Sequence, residues 1–197
     1  EEVSEFDADS LDKISELCRN DKVAAVGEIG LDYHYGSKNR DLQLKVFEEQ
    51  IKLSIDLNLP VIVHDRDAHG DTFDLIRKYI NKGLRGVLHC YSGSPEMARE
   101  YTDMGFYIGF TGVITFKNAK KPIEVLQSIP QDKILIETDC PYLAPEPFRG
   151  RRNDSSNLVY VIKKACEALN MEPGFFEDMT LNNAMKLFNI YSARENC

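Results

Sequence analysis

Four short apolar runs in this chain of 197 residues each finish on an acidic residue or a histidine. They are Val23–Glu28, Pro60–His64, Leu84–His89 and Ile134–Asp139. A carboxylate (Glu28), two imidazoles (His64 and His89) and a second carboxylate (Asp139) are a donor set suited to a divalent cation that activates water. Taken singly, each residue has an ordinary alternative: a salt bridge or helix cap for Glu28, a packed polar residue for either histidine. Recurrence at successive run ends favours the ligand reading. Glu137 precedes Asp139 by two and would share its face on a strand. Asp139, nearer the C-terminal end, is the expected proton acceptor, and Glu137 the expected structural partner. His34 and His69 fall in loops after the first two runs, where solvation is the commoner fate. In the mechanism this implies, Glu28, His64 and His89 hold the metal. Asp139 orients the water or takes its proton, and Arg149, with Arg66 or Arg152, neutralises a phosphate oxygen.

Such groups must be delivered to one rim by the elements that carry them. Leu44, Phe47, Ile51 and Ile55 recur at helical spacing within Arg40–Asn58, and Phe73, Ile76 and Ile80 do so within Thr72–Ile80. Ser94 followed by Pro95 predicts a helix start that runs towards Gly105. A fifth apolar run, Phe106–Phe110, reads as a strand without a ligand-type residue. Further helices are expected over Lys121–Ser128, over the stretch bearing Leu158, Ile162, Cys166 and Leu169, and after a cap at Thr180. Strands alternating with helices predict an α/β fold with a parallel sheet, in one domain over 1–197. In α/β barrels the C-terminal strand ends form the active-site rim. Pro141–Gly150 reads as a loop over that rim.

Composition narrows the classes. Charged residues make up 28% and hydrophobic residues 43%, and the formal net charge is −8. That balance disfavours broad non-specific adhesion to nucleic acid, although the Arg149–Arg152 patch and a bound cation would offset it locally. No apolar run is long enough to span a membrane. The five cysteines show no Cys-x-x-Cys spacing, so a reducing compartment, the cytoplasm, is the simplest expectation. Cys90 and Cys140, each one place past a proposed ligand, are expected to be packing residues. Gly-x-Ser-x-Gly, P-loop and Gly-x-Gly-x-x-Gly motifs are absent.

Four ordered segments carry a resemblance. Gly27–Tyr33, Val61–Ala68, Leu88–Gly93 and Glu137–Leu143, with Arg149–Asn153 and Asn182–Ala184, resemble the successive signatures of the TatD family of metal-dependent DNases. The resemblance implies an amidohydrolase-type (β/α)₈ barrel of the TIM kind, two divalent metals (Mg, Zn or Mn) and 3′-to-5′ phosphodiester hydrolysis on DNA, with single-stranded or frayed ends as substrate. It matches Glu28 to the family's bridging glutamate, His64 and His89 to its histidine ligands, and Asp139 to its carboxylate ligand and proton acceptor. Arg66 matches an arginine of the second signature. Tyr91, Arg149 and Asn153 fall within familial segments and are expected on the substrate side. The family's opening His-x-His is not in this chain. About five of eight β/α units are therefore expected, with the N-terminal third missing and supplied by a separate segment or a neighbouring chain. At most one metal and impaired activity follow. A metal hydrolase of a small amide or lactone, and a noncatalytic fragment, remain the alternatives.

Overall fold

The structure, a computed structural model, describes residues 3–36 and 38–190. Cys197 lies outside that range. The chain divides into two compact units, one made of residues up to Leu88 with Leu187–Ile190, the other of His89–Lys186. Each unit is α/β, and its paired strands run parallel.

The first unit contains helix α1 (Ala8–Leu17), strand β1 (Val26–Asp32), helix α2 (Arg40–Asp56), strand β2 (Val61–Arg66), helix α3 (His69–Tyr79) and strand β3 (Gly86–Leu88). β2 lies between β1 and β3. Ile29, Leu31, Val61 and Val63 are buried, as are Val46, Phe47 and Ile51 of α2, which packs on β1. Alternation therefore turns Glu28 and Asp32 of β1, and His64 of β2, to the opposite face. The pairing of β1 with β2 slips between Val26↔Val61 and Ile29↔Val63. One extra residue on β1 makes a bulge at Gly27–Glu28, a device that re-aims a side chain. Close approach is strictest at Gly30. Its φ is +147°, and a Cβ there would sit 1.9 Å from the His64 carbonyl oxygen.

The second unit contains α4 (Pro95–Asp103), β4 (Tyr107–Phe110), α5 (Lys120–Ser128), β5 (Ile134–Ile136) and α6 (Leu158–Leu169); α7 (Pro173–Phe188) follows. Ser94 caps α4 as expected, its hydroxyl accepting from the Met97 amide at 3.2 Å. β4 and β5 pair from Ile108↔Ile134 to Phe110↔Ile136, and Glu137 N–H extends the ladder to the Phe110 carbonyl. Asn183 of α7 is buried and donates to the carbonyls of Gln131 and Ile134, both at 2.9 Å, which pins that helix to the entry of β5.

Two expectations need correction. Thr180 is not a cap: α7 starts at Pro173, and the Thr180 hydroxyl donates back to the Phe176 and Glu177 carbonyls inside the helix. Cys140 is exposed rather than packed, because the chain leaves β5 at Ile136 and strand alternation no longer governs it. Helix α1, opened by a reciprocal Asp7–Ser10 capping box, was not anticipated from the pattern.

Candidate functional site

In the first unit, His64 stands between two carboxylates. Its Nδ1 lies 3.6 Å from Glu28 Oε2 and its Nε2 lies 3.2 Å from Asp32 Oδ2. Glu28, Asp32 and His64 line a cavity of about 620 Å³, with Phe6, Gln43 and Val46 among its other walls. Asp32 is held by its backbone as well: Gln43 accepts from its amide at 2.8 Å and donates to its carbonyl at 2.9 Å. Burial works against an ionised Asp32, but the His34 amide, His64 and Arg66 outweigh it and hold the carboxyl below its usual range. The Glu28 carboxylate raises the pKa of His64; burial opposes the shift and Asp32 adds to it.

In the second unit, His89 is clamped at Nδ1 by Glu137 Oε2. The other Glu137 oxygen accepts the Cys90 amide at 2.7 Å. A histidine whose Nδ1 is fixed by a carboxylate presents Nε2 as its ligating nitrogen. That Nε2 faces Asp139 Oδ1 at 3.3 Å. Two ligand atoms each about 2.0–2.1 Å from a tetrahedral metal are about 3.3 Å apart. A nitrogen lone pair and a carboxylate oxygen at this separation suit a shared cation, and the oriented imidazole supplies the second requirement. The donor set therefore fits a divalent metal. β5 has already ended at Ile136, and a left-handed Asp139 (φ +54°) sets where its carboxylate lies. Cys90 has the same conformation (φ +45°), and its thiol lies 3.3 Å from the Thr111 hydroxyl.

The remaining candidates are distributed differently. Tyr91 is buried and its hydroxyl donates to the Ser94 carbonyl at 2.9 Å. Asn153 is 2% exposed; its amide donates to the Thr138 and Tyr142 carbonyls and its oxygen accepts from the Asp154 amide and the Asn157 side chain. Both tie loops from within. The Arg149 guanidinium lies 4.2 Å over the Phe116 ring, and Arg152 is exposed. Arg66, the last residue of β2, is exposed and stands 5.4 Å over the Tyr35 ring. His34 pairs with Asp67 at 2.9 Å, and His69, the first residue of α3, pairs with Asp65 at 2.8 Å.

Asp32 went unrecognised as a site residue. Its signal was its place four residues beyond Glu28 on one strand, an even spacing that shares a face.

Comparison with known proteins places this geometry. The family described as TatD related DNase matches residues 1–189. An uncharacterized metal-dependent hydrolase of Bacillus subtilis, YabD, is 46% identical over 177 residues, covering 90% of this chain and 69% of the relative. The 3′-5′ ssDNA/RNA exonuclease TatD of Citrobacter koseri is 33% identical, covering 95% of this chain and 74% of that protein. Among solved structures, YJJV, a TatD homologue from Escherichia coli, superposes with a TM-score of 0.89 at 30% identity, over 96% of this chain and 73% of that one. The match leaves the expected loss of an N-terminal third and the expected incompleteness of the barrel unconfirmed. No helix among the described residues is long and apolar enough to cross a membrane. By a match that runs over nearly its whole length, the chain belongs to the TatD family of metal-dependent hydrolases.

Proposed function

We propose that this chain hydrolyses phosphodiester bonds, trimming single-stranded DNA from its 3′ end in the cytoplasm with a divalent metal, Mg, Zn or Mn. The observation that carries the reading is His89, oriented at Nδ1 by Glu137 and facing Asp139 across 3.3 Å at Nε2. The exonuclease name of the Citrobacter relative supports nucleic acid as the substrate class. His89 and Asp139 are proposed ligands in the second unit, and Glu28 and His64 are proposed ligands in the first. A bound divalent cation would lower the pKa of its water towards about 7 and draw charge from the phosphate.

The chain's own groups do the rest. Asp139 accepts the proton of the attacking water. Arg66 and Arg149 offset charge on the phosphate oxygens, as guanidinium groups do well. Asn153 holds the loop that follows Asp139, and Tyr91 holds the turn before α4; both are positioning residues.

The test uses the purified chain, stripped of metal and reloaded with Mn²⁺, Zn²⁺ or Mg²⁺, and a 20-nucleotide DNA labelled at its 5′ end. A ladder of 5′-labelled products shortening from the 3′ side is expected. His89→Ala and Asp139→Asn should each lower the rate by about 10²-fold or more, and His89→Ala should also lower bound metal. Cleavage that survives both substitutions, or no cleavage with any of the three metals, would reject the reading.

A further inference from the structure

The loop that follows β1 carries an unused aromatic. Tyr35 is 72% exposed, yet its surroundings are built. Gly36 N–H closes a tight turn onto the Tyr33 carbonyl at 3.0 Å, which puts Tyr35 at the tip. Turn tips ordinarily carry Gly, Asn, Asp or Ser. A tyrosine there spends a large apolar ring on water.

The residues flanking that turn are held by several bonds. The Tyr33 hydroxyl donates to Asp71 at 2.6 Å, and Arg40 grips the same carboxylate through Nε and Nη2 at 2.7 and 2.8 Å. Tyr33 N–H continues the strand ladder to the Arg66 carbonyl. The His34 ring meets the Tyr35 ring edge-on at 5.0 Å, and His34 Nδ1 is paired with Asp67. The Arg66 guanidinium stands over the Tyr35 ring at 5.4 Å. The loop is also joined to the His64 cavity, because Asp32 Oδ1 accepts the His34 amide at 2.9 Å while Asp32 Oδ2 faces His64.

We infer that Tyr35 is a stacking platform for one unpaired nucleobase of the substrate strand, with His34 and Arg66 setting its ring. This rests on the hydrolase reading and adds to it a specificity-determining residue. An exposed aromatic beside an exposed guanidinium is the composition of single-strand platforms: the ring takes any base face and the cation takes the neighbouring phosphate. The platform favours unpaired ends, since a base inside a duplex is stacked on its neighbours.

The test is a binding cycle with metal chelated, so that it does not depend on turnover. Fluorescence anisotropy would follow a 5′-fluorescein-labelled ten-nucleotide oligodeoxyadenylate, and the same oligomer made abasic at one or the other of its two 3′-terminal positions. Tyr35→Ala should weaken binding of the intact oligomer on the order of tenfold. Tyr35→Phe should retain it, and Phe175→Ala, at an exposed aromatic of α7, should not change it. One abasic position should weaken the wild-type chain by a similar factor and add nothing to Tyr35→Ala. If Tyr35→Ala binds like wild type while the wild-type chain binds and cleaves, the platform is wrong and the hydrolase reading stands. Equal losses on intact and abasic oligomers would mark a purely structural tyrosine and also overturn the platform. A wild-type chain that neither binds nor cleaves the oligomer removes both.

Discussion

Glu137 has two donors to satisfy. One oxygen meets His89 Nδ1 and the other accepts the Cys90 amide. A glutamine there keeps the shape but has only one acceptor oxygen, so one donor must face an NH₂ group. Glu137→Gln should therefore loosen the orientation of His89 and weaken metal binding about 10- to 100-fold, read by competition of Zn²⁺ between the chain and a chelator. Unchanged affinity would mean that Glu137 does not set the imidazole. At this scale the sequence singled out the proposed ligands more readily than their supports. Glu28, His64, His89 and Asp139 stand out because each interrupts an apolar run. Their partners do not, because a carboxylate beside a histidine in space leaves no mark at a fixed spacing. Glu137 was visible two places before Asp139, but the strand rule that linked them fails once the backbone turns left-handed at Asp139. Tyr91 and Asn153 carry polar groups that look ready for a ligand. Burial turns them inward, and no periodicity could have shown that.

β1 and β2 carry Glu28 and His64 on either side of one tight seam. β1 and β2 approach so closely at Gly30 that a methyl group would fall 1.9 Å from the His64 carbonyl oxygen. Neither atom is the end of a flexible side chain, so the strands must part. Gly30→Ala should cost about 2–5 kcal/mol, from overpacking and from strain at positive φ together. Gly83→Ala provides the comparison. Gly83 also has a positive φ (+94°), but nothing lies within 4 Å of its missing Cβ, so only about 1 kcal/mol is expected. Urea midpoints of the two variants measure the difference, and equal losses would show that the seam can widen freely. Helix positions were largely legible, since α2, α3 and α6 each show an apolar repeat at helical spacing and α4 announces itself with Ser94–Pro95. Thr180 misled because a threonine hydroxyl serves a cap or bonds back to a carbonyl four residues earlier, and the residue type is the same in both cases. Pro173, which cannot donate and suits a first helical turn, was the better marker of where α7 begins.

At the scale of the whole chain, the α/β class was readable from alternation and the family from its four ordered segments, whereas the ties that hold loops to helices were not. The acid limb of stability exposes one such tie. Carboxylates outnumber cations, 32 to 24, and those with partners resist protonation in the folded state. Asp71 is the clearest case: hydrogen bonds from Arg40 and Tyr33 outweigh burial and hold its pKa below the ordinary 3.8. In return, burial and Asp71 push Tyr33 up to about 12. A carboxylate with a depressed folded pKa binds protons more readily when unfolded. Its contribution is therefore fully present well above pH 3.8 and is lost as pH falls through the lower folded value. Asp71→Asn removes the charge that Arg40 grips and leaves Tyr33 a neutral acceptor. Its urea midpoint should lie below that of the wild type by a constant margin from pH 7 to about pH 5, and the margin should narrow as pH falls below about 4. A margin that stays the same down to pH 2.5 would assign the effect to hydrogen-bond geometry rather than charge. One that widens on acidification would reverse the sign and contradict a depressed Asp71.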